Sequence, residues 1–355
     1  MNKMFQPVQV GSLTLKNSIV FAPTSVGREG LDFYEKIAKG GASLIILPDI
    51  SVIPSMLGAP SLGSLQYADY FRKVVEICHR YDCKVSVQLF HPEYDVDYIG
   101  SLYRQRGKIS SDEVHRLLAE NMMGYADTLT TEQADAIVEK FAAAARNARE
   151  VGVDMIQIHG DRLIGSFSSA LFNHRTDRYA PHTAFAEAVV KAVRAAVPEM
   201  PLDYKLTIRT EEPKLGRGGA LISEVPEFVE ILEAAGVDAF HVAIANHSNI
   251  RDTIPAANHP LLQGEGCFTH LGRAVLTMAR KPVCIVGKLQ HADAMEALLE
   301  EVGLTGKPVT AENVSYAIAP RINAAGRMDS AVTALQLGLC VDEDRAVELA
   351  HKLSD

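Results

Sequence analysis

The stretch Glu150-Val-Gly-Val-Asp-Met-Ile-Gln-Ile-His-Gly-Asp-Arg162 decides the fold. An amphipathic pattern over 134–151 predicts a helix, and Gly152 stands where a helix ends and the chain turns. The apolar run that follows predicts a buried strand over 154–159, with a histidine, an acid and an arginine bunched at its C-terminal end. In a chain of repeated strand and helix units, polar residues gathered at that end of a strand form the mouth of an active site.

The same unit recurs on both sides of this stretch. Short β-rich runs at 18–22, 43–48, 84–89, 154–159, 203–209, 238–243 and 282–286 predict seven strands. Helical patterns at 134–151, 184–197, 225–235 and 292–302 return the chain for each next parallel strand, and Ala235-Gly-Val-Asp repeats the helix-Gly-strand junction. The expected fold is a (β/α)8 TIM barrel of the α/β class, with an eighth strand that is atypical or missing. An open doubly wound sheet is disfavoured because no G-x-G-x-x-G follows the first strand. The segment 91–130, rich in Tyr, Ser and charge, is expected to be a capping loop over the catalytic face.

Composition narrows the function. With 355 residues and 47% hydrophobic content, the chain can bury a large core. Its net charge of −9 argues against nucleic acid or an anionic membrane as the main partner, since phosphate binding needs a basic face. No apolar run reaches the roughly 18 residues of a membrane span, and residues 1–11 lack a signal-peptide pattern, so a cytoplasmic protein is expected. Cys78, Cys83, Cys267, Cys284 and Cys340 show no paired framework and no Cys-x-x-Cys, which predicts reduced thiols and no metal centre.

Several segments together resemble a known family. These are 5–23 (FQPVQVGSLTLKNSIVFAP), Gln88-Leu-Phe-His91, 154–160, Asn173-His-Arg-Thr-Asp-Arg-Tyr179, Arg209 and Lys281-Pro-Val-Cys-Ile-Val-Gly287. Their order and spacing are similar to the Old Yellow Enzyme family of FMN-dependent ene-reductases, over about residues 4–302. The resemblance implies FMN across the barrel mouth. Pro23 and Thr24 would face the flavin, Gln88 would bind its pyrimidine edge, and Arg209 would sit beside the region that becomes anionic on reduction. Gly287 and Lys288 would take the phosphate. The alternative for Arg209 is a structural ion pair with a neighbouring carboxylate. His159 matches the family's substrate-activating histidine, which donates to the carbonyl of an unsaturated substrate as hydride passes from flavin N5 to the alkene. The alternative is an ordinary core histidine.

The chain departs from the family where a second His or Asn and then a Tyr are usual: it has Arg162 and Ile164. Isoleucine cannot give a proton, so Asp161, a loop tyrosine (Tyr94, Tyr98 or Tyr103) or water must do so. Arg162 is a poor acid but a good fork for a carboxylate or lactam oxygen, unless it simply pairs with Asp161 to fix the loop. His159-Gly-Asp-Arg162 resembles the bilirubin reductase subgroup, whose substrate carries two propionates and lactam carbonyls. Arg104 and Arg106 in the insertion could cover such a ligand or form a solvated face. Enone and dienoyl-CoA reduction are alternative activities, and an inactive barrel used as a binding protein is the alternative of another class. Electrons would come from NAD(P)H bound over FMN or from a flavodoxin-like partner.

The barrel is expected over 1–303. From there, 304–355 follow another pattern, in which Pro320-Arg-Ile-Asn-Ala-Ala-Gly-Arg327 resembles part of the DHH-type single-strand-specific exonucleases, without their metal-binding Asp-His-His core. Either 314–319 stand in for the eighth strand, bringing Arg327 to the phosphate, or the segment is a fusion and the barrel stays open.

Overall fold

The computed structural model describes residues 5–24, 30–54, 59–105, 109–212, 214, 216–245 and 266–287. Its centre is a parallel sheet. In chain order the elements begin with an antiparallel hairpin, β1 (Val8–Val10) and β2 (Leu13–Leu15). There follow β3 (Val20–Phe21), α1 (Gly30–Lys39), β4 (Leu44–Ser51), α2 (Ala68–His79) and β5 (Lys84–Phe90). Next come α3 (Val96–Arg104), α4 (Ser111–Thr128), α5 (Thr131–Glu150), β6 (Met155–His159), α6 (Arg162–Phe167) and α7 (Ala184–Ala196). The chain continues through β7 (Leu202–Arg209), β8 (Ala220–Leu221), α8 (Val225–Ala235), β9 (Ala239–Ile244), α9 (Thr269–Leu276) and β10 (Val283–Ile285).

The seven expected strands are all present, as β3, β4, β5, β6, β7, β9 and β10, hydrogen-bonded side by side in that order and all parallel. Short β8 pairs with the end of β7. This is a parallel α/β barrel wall, with every helix crossover returning to the same side.

Alternation along the strands sorts the side chains. Outward residues such as Ile45, Leu47, Val85, Val87, Ile156, Ile158, Leu206 and Ile208 join the principal core under the helices. Burying each such side chain is worth about 1.5–3 kcal/mol relative to leaving it in water. The inward residues change character along the barrel. Near the strand starts, Leu44, Ile46, Met155 and Ala239 pack with Val10 and Leu15, so the β1–β2 hairpin plugs the lower end. Above them the interior turns polar, with Gln88 and Gln157 in register, then Gln157 and Asp203, then His159 and Lys205, then Lys205 and His241. Such a layer departs from the branched apolar filling usual in these barrels.

Segment 91–130 is not a loop. It holds α3 and α4, each opened by a side-chain cap: Asp95 accepts from the Tyr98 N–H at 2.9 Å, and Ser110 from the Glu113 N–H at 3.1 Å. The two helices share a small core of Ile99, Leu102, Val114 and Leu118, separate from the barrel's. The Asn173 to Tyr179 motif is a brace. Arg175 donates to the Ala126 and Leu129 carbonyls at 2.7 and 2.5 Å, pairs with Asp177 and lies over the Phe167 ring. Asn173 donates to the Phe167 and Tyr179 carbonyls at 2.8 and 2.9 Å. The predicted helix at 292–302, the stand-in strand at 314–319 and the whole of 304–355 lie outside the described residues, as do Lys288, Arg327 and Arg106.

Candidate active site

The strand ends bring together most of the residues singled out from sequence. His159 closes β6 and is 5% exposed. Its Nδ1 accepts the Asp161 backbone N–H at 3.3 Å, which puts the ring proton on Nε2. That nitrogen lies 3.6 Å from an Asp49 oxygen, so a donor points into the mouth beside a carboxylate. Gly160 makes room for this: a methyl group there would come within 2.6 Å of the Tyr204 ring.

Asp49 owes its position to a bulge. β4 and β5 pair regularly up to Leu47 with Val87, then resume at Ile50 with Leu89, so two residues of β4 oppose Gln88 alone. Asp49 takes a positive φ of 48° there, and its backbone N–H donates to Gln88 Oε1 at 3.3 Å. Arg162 also has a positive φ, 56°, at the start of α6. Two non-glycine residues in the left-handed region facing one mouth indicate strain held in place by the surrounding fold.

Arg162 pairs with Asp49 at 3.5 Å and with Glu93 at 3.4 Å. Burial works against its charge, but Glu93, Asp49 and Asp161 more than offset this and raise its pKa. Arg162 thus forks to Asp49 and Glu93, with Asp161 adding a third favourable charge. Asp161, 4% exposed, also acts on Lys205, as the first of the charges opposing that amine's loss of its proton. Of the three loop tyrosines, Tyr94 is the one that feels Glu93 and Arg162; burial raises its pKa, with Glu93 adding and Arg162 opposing. Tyr98 is 39% exposed on α3, and Tyr103 packs against the α3–α4 core.

Gln88 donates from Nε2 to Gln157 Oε1 at 2.6 Å and is buried. Pro23 and Thr24 follow β3 after Ala22, both half-buried at the strand's mouth end. Arg209 ends β7, 6% exposed, with one nitrogen 3.9 Å from Glu224. The ion-pair alternative for it is therefore met, although its buried Nε has no hydrogen-bond partner among the described residues. Gly287 follows β10 with φ +127°, and a Cβ there would overlap the Phe268 ring.

Sequence reasoning missed Lys205, Asp49 and Glu93. Lys205 faces inward, in register with His159 on one side and His241 on the other. Burial lowers its pKa, and it forms no ion pair among the described residues. The signal was available: a lysine two residues past Asp203 in an apolar strand shares the inward face with Arg209. Asp49 escaped because a bulge cannot be seen in a period-2 pattern, and Glu93 because its role needs Arg162 to reach across.

A flavin would need cations where charge develops on reduction, and Lys205 and Arg209 share one inward strand face, Arg209 with a buried Nε that has no hydrogen-bond partner among the described residues. The residues fit such a group. A parallel barrel with a polar, cationic and histidine-bearing mouth is an arrangement suited to an anionic cofactor. The chain belongs to the NADH:flavin oxidoreductase / NADH oxidase family, whose model matches residues 3–304.

Among its relatives is the bilirubin reductase of Clostridium symbiosum, 39% identical over 308 residues covering 84% of this chain and 82% of that one. The bilirubin reductase of Mediterraneibacter gnavus is 37% identical over 320 residues, 84% of this chain, but the chain spans only 48% of its length. The fold resembles Old Yellow Enzyme from a Pichia species, with TM-score 0.62 and 17% identity, covering 86% of this chain and 81% of that one. It also resembles morphinone reductase in complex with tetrahydroNAD, with TM-score 0.58 and 21% identity, covering 87% and 86%. The chain is thus a flavin-dependent oxidoreductase, and none of its helices among the described residues is long and apolar enough to cross a membrane.

Proposed function

We propose that this protein is an FMN-dependent ene-reductase whose substrate is bilirubin. The observation that carries the reading is the pairing, at one strand end, of a neutral His159 with its proton on Nε2 and an Arg162 held by Asp49 and Glu93. The likeness to two bilirubin reductases supports it. When bound, FMN supplies the reducing equivalents, delivered to a conjugated alkene.

The protein's own residues then have distinct tasks. His159 donates from Nε2 to a lactam or enone oxygen, and the bond strengthens as negative charge grows there. Arg162 offers its fork to a propionate, exchanging part of its pairing with Asp49, which is half exposed to solvent, for the substrate's carboxylate. Lys205 and Arg209 hold positive charge along the inner face of β7 for the pyrimidine side of the flavin, and Gln88 offers an amide there. Pro23, Thr24, Gly287, Lys288 and Arg327 complete the cofactor set in this reading. Tyr94 is the proton source we favour over Asp161, because it stands beside Glu93 and Arg162 and keeps its proton at neutral pH. NAD(P)H, or a flavodoxin-like partner, provides the electrons.

The test is anaerobic turnover. The protein reconstituted with FMN is expected to be yellow, to bleach with NADPH or dithionite, and to be reoxidised by bilirubin. Arg162→Ala is expected to raise the KM for bilirubin about tenfold or more, with a smaller effect on an enone lacking a carboxylate. A protein that cannot hold FMN sinks the flavin reading, and unchanged bilirubin turnover in Arg162→Ala removes Arg162 as the anchor.

A further inference from the structure

Beneath the mouth, Gln157, Asp203 and His241 fill the barrel interior with polar groups to which the proposed chemistry assigns no task. All three are at most 4% exposed. Their contacts form one directed chain. Gln157 Nε2 donates to Asp203 Oδ2 at 2.5 Å and lies 3.1 Å from His241 Nδ1. Gln157 Oε1 accepts from Gln88 Nε2 at 2.6 Å, and Gln88 Oε1 accepts the Asp49 N–H at 3.3 Å.

An amide side chain has two ends of similar shape and opposite polarity, so its direction must be set by its neighbours. As a carboxylate, above the pKa of about 7 to which burial raises it, Asp203 can only accept, and His241 is neutral because burial lowers its pKa to about 3, leaving one ring nitrogen as an acceptor. Ionised Asp203 therefore demands the NH2 end of Gln157, and His241 Nδ1 accepts from the same NH2 in the tautomer that carries its proton on Nε2. Its oxygen must then face Gln88, which must turn its own NH2 downward and its oxygen toward Asp49. A carbonyl oxygen has two lone pairs and Asp49 occupies one. Turning Gln88 over would set its NH2 against the Asp49 N–H and its oxygen against the oxygen of Gln157, in a buried site where an unmade hydrogen bond costs about 1–3 kcal/mol.

We propose that Asp203, with His241, is a positioning residue that acts through Gln157 to fix the amide direction of Gln88, so that Gln88 presents a hydrogen-bond acceptor to a ring N–H of the bound cofactor. This rests on the flavin reading only for the identity of that N–H. Asp203 touches neither cofactor nor substrate, and its role is to make one face of Gln88 the only one available.

The experiment combines Asp203→Leu and Asp203→Asn with Gln88→Leu. FMN dissociation constants are read by flavin fluorescence and midpoint potentials by dye equilibration. Side-chain amide NMR is recorded on the flavin-free protein, with the Gln88 NH2 pair assigned by its loss in Gln88→Leu. Asp203→Leu is expected to weaken FMN binding about tenfold and to shift the midpoint potential, whereas Asp203→Asn, which keeps an acceptor, stays within about threefold of wild type. In the Gln88→Leu background, Asp203→Leu is expected to add nothing further. An equal loss in both backgrounds would overturn the proposal, since Asp203 would then act on the fold at large.

If the wild-type protein binds no FMN, the flavin reading fails by itself, and the positioning claim is judged on the amide spectrum. There Asp203→Leu should move the Gln88 NH2 pair and speed its hydrogen exchange, while Asp203→Asn should not. An unmoved pair overturns the claim. Should Asp203→Leu fail to fold, Gln157→Leu carries the same comparisons.

Discussion

Gly160 has no room for a methyl group: one there would overlap the Lys205 carbonyl and approach the Tyr204 ring to 2.6 Å. The residue before it is the histidine whose ring must be aimed, and the residue after it donates the backbone N–H that fixes that ring's tautomer. Gly160→Ala is expected to cost about 1–3 kcal/mol of stability through overpacking, and to lower kcat more than the KM is changed, because His159 moves with the displaced backbone. Urea unfolding and steady-state kinetics check the two parts; wild-type kcat in a destabilised variant would show that His159 tolerates the shift. At this scale the sequence was readable for His159, Asp161 and Arg162, which are contiguous. It was unreadable for Asp49 and Glu93, which reach Arg162 from two other strand ends. Lys205 was legible in its alternation with Asp203 and Arg209.

Among the elements, the α3–α4 insertion shows why a stretch full of tyrosine and charge reads as loop and folds as helix. Its apolar residues are few, but Ile99, Leu102, Val114 and Leu118 converge into one small cluster, and each helix starts on its own cap. A cluster so small opens more easily than the barrel core. Leu118→Ala, which removes a buried side chain worth about 2–5 kcal/mol in a well-packed site, is expected to speed hydrogen exchange through 96–128 and leave the protection of β5, β6 and β7 unchanged. Equal loss of protection in the strands would mean that the insertion and the barrel unfold together. The seven barrel strands were legible because both faces of each are constrained, the outer by helices and the inner by its neighbours. Hairpin β1–β2 escaped because three-residue strands carry too little pattern.

For the whole molecule, the polar interior makes stability depend on pH in two opposed ways. Burial pushes the Asp203 pKa up to about 7, so its contribution favours the fold at low pH and is lost as pH rises from the ordinary carboxyl range towards 7. Burial pushes His241 down to about 3, so its contribution favours the fold above the ordinary imidazole range and is lost as pH falls towards 3. The two slopes offset each other over much of the acid range. Asp203→Asn is therefore expected to gain on wild type as pH rises from about 4 to about 7, and His241→Gln to gain as pH falls from about 6.5 to about 3, by up to a few kcal/mol at about 1.4 kcal/mol per pKa unit. Denaturant unfolding at stepped pH measures this, and stability curves parallel to wild type would refute it. No pattern of hydrophobicity announces such a layer, because a few polar residues on the inner face of an otherwise apolar strand leave its period unchanged.

The extra residue in β4 bears on how such a protein can change over generations. Leu47 and Ile50 both pack outward although an even step would be needed to keep them on one face, and the bulge supplies the missing phase. Losing one residue there would restore plain alternation from Leu47 through Ile50, leaving both halves of the strand correctly seated on the core. The chain can therefore vary in length in the middle of a central strand without repatterning its interior. Only the carboxylate that meets both His159 and Arg162 would be re-aimed, which makes this point a place where descent could alter what the mouth accepts while the scaffold stays as it is.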